Sequence, residues 1–501
     1  MVSWPNLYRI INLFRFGKTI QQSAARSTLI LYFNKIWVQL LNIFRTFLLA
    51  LFLTPYDLGI LGIGLISYSL FDKITRTGTK TALIAFEGDI TKYLNSSFTI
   101  TFFRNLILFS FIQVSAISIS NIFEEPSSLI YIRVVGLIYL INAFSNPATV
   151  YFRKNLDFRK ESFQEVLTDI SNMTLTIILL IIFKNIWSVI IGLIFGYFIK
   201  LIVGYKLISY KPKFDFNKNN FVILFNYSIW IFLSSIVGFL IIEGDDILVG
   251  ILLGTSFLGL YQMAYKFGNL PVTQFSTVLA QIAIPTYSKI KSDSKKLYST
   301  FDYILKLNIS IVSYLVLIVY WVVKFLVLNF FDIQWHYMIP TFEILILASW
   351  FRSLSSNVGP LLLSKEKPKN EFLIQSFRLT IIIITIFPFI ENYGIQGAAY
   401  SILLSIFLTN FVYLKFLIRE INYRIFDYLF AITIPLITVF TTHLVMKLSE
   451  EFLILNFSIY NLLFFSITSS IFYFTLLYIF SKIFNYNVFQ KSFMLFNSIL
   501  E

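Results

Sequence analysis

The chain has 501 residues, of which 57% are hydrophobic, 19% aromatic and only 13% charged. Soluble domains carry about 25% charged residues, so this composition excludes a water-soluble enzyme. The absence of Cys and the presence of only two, widely separated His exclude disulfides, thiolate nucleophiles and His- or Cys-rich metal sites. The net charge of +14 would suit nucleic acid in a soluble protein, but in so apolar a chain it favours membrane orientation. We expect no nucleic-acid partner, no cofactor and no metal.

Apolar runs long enough to cross a bilayer, about 20 residues each, recur along the chain. Residues 1–30 precede them and form a basic, amphipathic cytoplasmic segment without the apolar core of a signal peptide. The sequence therefore predicts an all-α polytopic membrane protein with about 14 transmembrane helices. The predicted spans lie at 31–53, 58–76, 97–121, 129–151, 164–183, 187–206, 221–253, 257–285, 300–326, 338–363, 372–389, 394–415, 425–446 and 453–481.

The distribution of basic residues predicts the orientation. With the N-terminus in the cytoplasm, the cytoplasmic segments of this arrangement hold 29 Lys and Arg, and the outer loops hold only Lys184, Lys324 and Lys447. Such an asymmetry is what the positive-inside rule produces. We therefore expect a multi-pass protein of the bacterial cytoplasmic membrane with both termini cytoplasmic.

A weak internal repeat predicts the domain organisation. Residues 51–60 and 251–260 each show an apolar helix end, a polar turn, Leu-Gly and a new apolar helix, at an offset of 200 residues. An even number of helices separates the two copies, so they would be parallel repeats. We therefore expect two parallel six-helix lobes around a central cavity, followed by a C-terminal helix pair. The predicted divisions are the N-terminal segment 1–30, the N-lobe 31–210, the C-lobe 211–424, and the helix pair with its tail 425–501.

Three cations are placed deep within predicted helices, where a charge needs a cavity or a partner because burial in lipid is costly. Arg45, Lys266 and Arg352 each continue a polar stripe along one helix face. We interpret the three as a cationic, substrate-binding cavity. The polar neighbours predicted to line it are Gln39, Asn42, Gln262, Asn269, Thr273 and Asn357.

Other charged residues have simpler interpretations. Lys35, Lys306 and Arg378 fall near helix ends, where their long side chains are expected to snorkel to the interface. An acidic cluster, residues 243–246, is placed in the outer half of the seventh helix. Asp245 and Asp246 in this cluster either bind a coupling cation or pair with basic residues, and the sequence favours pairing. No catalytic constellation and no phosphate-binding Gly loop is present.

Several local segments resemble a known family in their order along residues 30–420. Residues 53–59 resemble the L-S/T-P-x-D/E-x-G turn after the first helix of bacterial polysaccharide exporters, and Gly78 with residues 82–84 resembles the G-x-x-x-A-L-I segment that follows. Residues 152–158 resemble a cytoplasmic R-x-L-x-F loop, and residues 245–265 resemble the D-x-x-x-x-G-x-x-x-G…L-G-x-Y-x-x-A-Y stretch. By these motifs the chain resembles the oligosaccharide flippases, the O-antigen, capsule and exopolysaccharide translocases of the multidrug/oligosaccharidyl-lipid/polysaccharide exporter superfamily.

This resemblance implies transport of an undecaprenyl-diphosphate-linked oligosaccharide from the cytoplasmic to the outer leaflet by alternating access, for surface polysaccharide biosynthesis. It also implies partners in that pathway, a polysaccharide polymerase and chain-length proteins, besides membrane lipids. It assigns no catalytic residue, and we expect no enzymatic activity. Two alternatives stay open: a drug or metabolite antiporter of the related multidrug and toxic compound extrusion family, and a membrane polysaccharide polymerase.

Overall fold

A computed structural model describes residues 41–75, 79, 83–84, 86, 89–155, 157–217, 220–221, 229–453, 459–484 and 486. The predicted amphipathic segment 1–30 and the proposed cavity residue Gln39 lie outside these residues. Helices and their connections make up the described part of the chain, and it contains no strand. The all-α prediction is therefore confirmed. The chain forms two compact units, Met1–Gly259 and Leu260–Glu501. The division falls at Gly259 rather than at residue 210, and the predicted lobes remain a prediction.

The first unit is built mainly from long apolar helices. Its helices are α1 Leu41–Phe52, α2 Pro55–Ile74, α3 Thr91–Ile122, α4 Ser128–Val135, α5 Leu137–Ala143, α6 Val150–Lys154, α7 Phe158–Phe183, α8 Ile186–Leu207 and α9 Ile229–Leu253, and α10 Thr255–Gly268 begins at its end. Helices α7 and α8 pack closely because the chain has glycine at their contact. A Cβ at Gly192 would lie 2.0 Å from Thr176 Oγ1, and one at Gly196 would lie 2.8 Å from Asn172 Cβ.

The turn that opens α2 is a capping box. The Thr54 hydroxyl accepts the N–H of Asp57 at 3.2 Å, and the Asp57 carboxylate accepts the N–H of Thr54 at 2.9 Å. Pro55 follows at the first helical position, where its missing N–H costs no hydrogen bond. The Thr-Pro-x-Asp pattern seen in the sequence is therefore the start signal of a helix.

The two turns of the predicted repeat meet within the first unit. A Cβ on Gly59 would lie 1.8 Å from the carbonyl oxygen of Thr255, and a Cβ on Gly259 would lie 1.9 Å from that of Pro55. These contacts correspond to each other under the offset of 200 residues. Gly254, which separates α9 from α10, has a φ of +94°, a conformation that glycine adopts without strain. The repeat shares Gly59 and Gly259, and the close backbone approach at both positions leaves no room for a Cβ.

Glu125 joins this region to the loop between α3 and α4. Its carboxylate accepts hydrogen bonds from Tyr56 at 2.9 Å, Ser127 at 2.5 Å and Thr255 at 3.0 Å. Burial opposes ionisation, but these hydrogen bonds outweigh it and hold the pKa of Glu125 below its usual value. One carboxylate therefore ties together the starts of α2 and α10.

The predicted single span 129–151 is bent. The pair Ser128–Ala143 and Pro147–Lys154 meets at 79°. Asn146 caps the second segment by accepting the N–H of Ala148 at 3.0 Å, and Pro147 begins it. A capping residue followed by proline starts a new helix, which the apolar periodicity does not reveal.

The second unit contains the rest of α10 and eight further helices. These are α11 Thr277–Ile290, α12 Ser294–Phe330, α13 Ile339–Ser355, α14 Val358–Ser364, α15 Pro368–Tyr393, α16 Ile395–Ile421, α17 Ile425–Leu453 and α18 Ile459–Ile483. A π turn, Val272–Ser276, links α10 to α11 after Pro271. The predicted spans 257–285 and 338–363 are therefore each interrupted, the first at this π turn and the second between α13 and α14.

The core of the second unit lies among α11 to α16. Large fully buried side chains there include Tyr287, Phe301 and Tyr423, packed with Trp350 and Leu361. Lys306, predicted to snorkel, instead pairs with Asp302 at 2.8 Å. Its Nζ also lies 5.5 Å from the ring centroid of Tyr486. Asp302 lies one turn earlier on the same helix, so the spacing of four residues could have found this pair, and the snorkelling of Lys306 stays a prediction.

In the described part of the chain, eight helices are long and apolar enough to cross a membrane, and the bent pair Ser128–Ala143 and Pro147–Lys154 would make a ninth. Many of their side chains that face away from the core are phenylalanine, leucine and isoleucine. The protein is therefore a polytopic membrane protein. The number of about 14 spans stays a prediction.

Candidate functional site in the second unit

A cavity of about 280 Å³, with charged and polar side chains in a largely apolar wall, lies in the second unit. The π turn and helices α11, α13, α14, α15 and α16 contribute to its wall. Two arginines, Arg352 and Arg378, and one glutamate, Glu371, line it beside hydroxyl and amide groups. The residues around it are Val272, Ser276, Thr277, Ala280, Arg352, Ser355, Ser356, Gly359, Pro360, Glu371, Gln375, Arg378, Ile406, Thr409 and Tyr413.

Arg352 is held by neutral partners. Its guanidinium donates to Asn269 Oδ1 at 2.8 Å and makes a longer contact of 3.4 Å with the Tyr265 hydroxyl. Its Nε is buried and has no hydrogen-bond partner among the described residues. The structure thus brings together Arg352 and Asn269, two residues that the sequence analysis placed at the cavity. A buried, unused N–H on a guanidinium is suited to an anionic or carbonyl oxygen.

Glu371 is the acidic group of this cavity. Its Oε1 accepts from Gln375 at 2.8 Å and from the Tyr413 hydroxyl at 2.9 Å. Its Oε2 is buried without a hydrogen-bond partner in the described structure. A Cβ on Gly359 would lie 3.2 Å from Oε2, so glycine at this position leaves room for the carboxylate. The sequence analysis did not select Glu371, because it lies in the first turn of α15, where an acidic residue is ordinary.

Arg378 lies two helical turns after Glu371 on α15 and lines the same cavity. The cavity wall that it shares includes residues of α13, α14 and α16, and the expectation that it snorkels to an interface stays a prediction. The spacing of seven residues from Glu371 puts both on one helix face, which is the signal that could have found the pair. With two arginines and one glutamate, the lining has a net positive charge.

Other predicted cavity residues have varied surroundings in the second unit. Asn357 is fully buried, and both atoms of its side-chain amide lack hydrogen-bond partners among the described residues. The Thr273 hydroxyl donates to the carbonyl oxygen of Asn269 at 3.1 Å. Lys266 is exposed and Gln262 is half-buried on α10. These two do not line the 280 Å³ cavity.

Arg45 belongs to the first unit. Its Nε is buried without a hydrogen-bond partner in the described residues, while Asn42 one turn earlier is exposed. The acidic side chain whose charge acts on Arg45 is Asp169 on α7. The guanidinium is therefore partly buried close to α7, without an ion pair among the described contacts.

The acidic cluster of α9 has one observed ion pair. Glu243 lies 3.1 Å from Lys73 and accepts a hydrogen bond from Ser69 at 3.3 Å. Lys73 is in the last turn of α2. Glu243 lies in the half of α9 that ends at Leu253, and its placement in the outer half of the membrane stays a prediction. Asp245 is buried and Asp246 is half-buried. Their role stays open. Among the described residues, no group of three His, Asp or Glu could hold a metal ion.

A family model described as "Polysaccharide biosynthesis protein" matches residues 48–340, more than half of the chain. The chain belongs to this family of polysaccharide biosynthesis proteins. The chain is similar to the lipopolysaccharide biosynthesis protein WzxC of Escherichia coli strain K12. The two are 21% identical over 74% of this chain and 75% of the WzxC chain. A membrane protein of the cps region of Klebsiella pneumoniae is 22% identical over 81% of this chain and 84% of its own.

Solved structures show the same fold as this polysaccharide biosynthesis protein. The lipid II flippase MurJ in an inward closed conformation aligns with a TM-score of 0.74 at 18% identity, over 92% of this chain and 100% of that one. An inward-facing multidrug transporter of the MATE family aligns with a TM-score of 0.61 at 14% identity, over 77% of this chain and 94% of that one. The TM-scores establish the fold. At identities this low, the ligand has to be inferred from the chemistry of the site.

Proposed function

We propose that this protein transports undecaprenyl-diphosphate-linked oligosaccharide units from the cytoplasmic to the outer leaflet by alternating access. The observation that carries the proposal is the net positive cavity around Arg352 and Arg378 in a chain of the polysaccharide biosynthesis family. A diphosphate crossing a low-dielectric interior needs fixed cations and hydrogen-bond donors, which lower its desolvation cost. The cavity of about 280 Å³ would hold roughly nine waters at about 30 Å³ each, enough for a phosphate-sized group.

The proposed setting is the bacterial cytoplasmic membrane, with both termini in the cytoplasm. Support comes from the asymmetry of basic residues and from relatives named for lipopolysaccharide and teichuronic acid biosynthesis. A polysaccharide polymerase and chain-length proteins would act on the product, and two lobes 31–210 and 211–424 with a terminal pair 425–501 would carry out the transport. The solved structure that aligns with a TM-score of 0.74 is itself a lipid II flippase.

The experiment compares glycan accumulation on the two sides of the membrane in a deletion strain. We expect lipid-linked units trapped inside, restored export with the wild-type chain, and no export with the double variant Arg352→Ala and Arg378→Ala at normal protein level. Lys324→Ala, which removes a cation that lies 3.8 Å from Glu343 in the same unit, is the matched control and should export normally. Single repeat units accumulating outside would indicate a polymerase instead, and unchanged export in the double variant would contradict the cavity.

Arg45 and Lys266 complete the proposed set of substrate cations, and each is tested on its own. Arg45→Ala and Lys266→Ala should insert normally and fail to restore surface polysaccharide, while Lys266→Arg should keep substantial activity because charge matters more than fork geometry for a mobile diphosphate. If Arg45 is instead a structural partner of Asp169, Asp169→Asn should rescue Arg45→Ala. Such rescue would remove Arg45 from the substrate site.

A further inference from the structure

Residues 209–217, which follow α8, form an extended strap bound to the beginning of α3. The Asn95 side chain accepts hydrogen bonds from the Tyr210 hydroxyl at 2.7 Å and from the N–H of Lys213 at 2.9 Å. One turn further along α3, Thr99 accepts the N–H of Asp215 at 2.9 Å, and Ser96 donates to the Asp215 carboxylate. The strap is therefore fixed by the backbone N–H groups of Lys213 and Asp215 and by the side chains of Tyr210 and Asp215, while the side chains of Lys211, Lys213, Phe214 and Phe216 stay exposed.

The far end of the strap carries exposed aromatic rings. Phe214 and Phe216 are 52% and 69% exposed and lie beside Phe103 of α3, itself 41% exposed. Each ring centroid is 6.1 Å from that of Phe103. Because α3 is long and apolar enough to span a membrane, an exposed phenylalanine cluster on its outer surface faces lipid. The apolar part of the surface is thus an acyl-chain contact.

The near end of the strap carries positive charge. Lys211 and Lys213 are exposed, and so is Lys92 in the first turn of α3, whose backbone carbonyl accepts a hydrogen bond from Asn220 at 3.3 Å. Among the described residues, the acidic groups here are Asp215, to which Ser96 donates, and Asp89, which accepts the hydroxyl of Thr91 at 2.5 Å and its N–H at 2.8 Å. These hydrogen bonds hold the pKa of both carboxyls below the usual value, so both stay ionised, and the three lysines still leave a positive excess.

The distance between the lysines and the phenylalanine rings of the strap is similar to the distance between the phosphate and the upper acyl chains of one lipid. Lys213 is anchored at Asn95. The Phe214 ring lies 5.5 Å from that of Phe98, and the Phe216 ring lies 6.1 Å from that of Phe103. These partners are three and eight residues beyond Asn95, so at about 1.5 Å per residue the rings lie roughly 5–12 Å further along α3 than the lysine anchor. Apolar side chains at a membrane surface bury about 5–10 Å into the boundary between head groups and acyl chains, while cations stay at the phosphates.

We propose that this surface, the strap together with the first three turns of α3, binds the head group and upper acyl chains of an anionic phospholipid of the surrounding bilayer. Lys92, Lys211 and Lys213 contact the phosphate and the charged head group, and the phenylalanines contact the chains. A bound lipid fixes the strap against α3 and is distinct from the transported substrate. Juxtamembrane lysines attract anionic lipids, each by an amount that corresponds to a roughly five-fold change in affinity.

The absence of Cys in the chain makes a site-specific test direct. The full-length protein with Ser209→Cys, an exposed strap position, is labelled with an energy-transfer acceptor and placed in nanodiscs that contain donor-labelled phosphatidylglycerol or phosphatidylcholine. We expect stronger transfer from phosphatidylglycerol, and loss of that preference in Lys211→Gln with Lys213→Gln. Phe214→Ser with Phe216→Ser should weaken transfer from both lipids and keep their ratio.

The matched control is the pair Lys295→Gln and Lys296→Gln, two exposed lysines in the first turn of α12, which should leave the preference at the strap unchanged. An unchanged preference in the Lys211 and Lys213 variant, or an equal loss in the control, would overturn the proposal. Adding undecaprenyl diphosphate at a few mole percent should not displace phosphatidylglycerol. Displacement at equal mole fraction would assign the surface to the substrate and would equally overturn the proposal.

Discussion

Arg104 in the first unit and Arg352 in the second are both partly buried arginines on helices, and their environments differ. Arg104 donates to the Asp72 carboxylate at 2.9 Å, to the Asp72 carbonyl at 2.7 Å and to Thr75. Among the described residues, Arg352 has only neutral hydrogen-bond partners, Asn269 and Tyr265, and its Nε has none. A cation that is neutralised by a carboxylate serves the packing of α2 and α3. A cation that keeps its charge and a spare donor beside a cavity is available to an anion.

The comparison predicts that changes in the first region reduce stability, whereas changes in the cavity reduce transport. Gly59→Ala should have the largest effect. The new Cβ would lie 1.8 Å from a backbone oxygen that cannot move away, so we expect loss of about 3 kcal/mol or more of stability and little protein in the membrane. Gly359→Ala, whose Cβ would meet the movable carboxylate of Glu371 at 3.2 Å, should change the thermal midpoint only slightly. Equal midpoints for the two variants in detergent would contradict this account.

Arg104→Ala should have the next largest effect. Removing the guanidinium leaves Asp72 and Thr75 without their donor, so we expect about 1–3 kcal/mol of destabilisation, measured as a lower thermal midpoint of the detergent-solubilised protein. Asp72→Asn in addition should recover part of the loss, because no uncompensated carboxylate then remains. Export per folded molecule should stay near the wild-type level. A folded, inactive Arg104→Ala protein would remove the distinction between the two arginines.

Glu371→Gln should change substrate binding in the cavity and leave the stability of the protein unchanged. The amide oxygen can still accept from Gln375 and Tyr413, and the loss of one negative charge makes the cavity more positive. We expect the affinity for a diphosphate-bearing lipid to rise roughly 20- to 100-fold, which is the Coulomb energy of unit charges about 6–10 Å apart at an effective dielectric constant near 20. Titration of the purified protein with undecaprenyl diphosphate measures this change. Weaker binding would indicate that Glu371 contacts the ligand as an acceptor.

The smallest effect concerns Glu125 and pH. Its pKa is held below the unfolded value, so its hydrogen bonds add stability that is fully present above about pH 5 and is lost as the pH falls through the lowered pKa. The thermal midpoint of the wild-type protein should therefore fall more steeply between about pH 5 and pH 3 than that of Glu125→Gln. Parallel curves would show that the contacts to Tyr56 and Thr255 contribute little.

The parts of this fold that could be predicted from the sequence are those determined by short local patterns. The start of α2 at Pro55 and the turn at Gly254 are determined by capping and by a positive φ, which short patterns report. The bend at Asn146 and the π turn after Pro271 depend on local chemistry that apolar periodicity hides. The cavity was only partly predictable. Arg352 and Asn269 were selected from polar stripes. Glu371 and Arg378 line the cavity because α15 packs against α14 and α16, and these neighbouring helices cannot be read from the spacing of residues on one helix.

The central claim is that Arg352 serves transport and not stability, and the flipping rate of a fluorescent undecaprenyl-diphosphate glycan in proteoliposomes tests it most directly. A membrane-impermeant reagent reports the fraction of label in the outer leaflet over time. We expect Arg352→Ala to lower the rate at least 10-fold with an unchanged thermal midpoint, and Arg352→Lys to retain part of the rate because it keeps the charge. The double variant Arg104→Ala and Asp72→Asn should flip at a near wild-type rate. A wild-type rate for Arg352→Ala at an equal amount of folded protein would contradict the account.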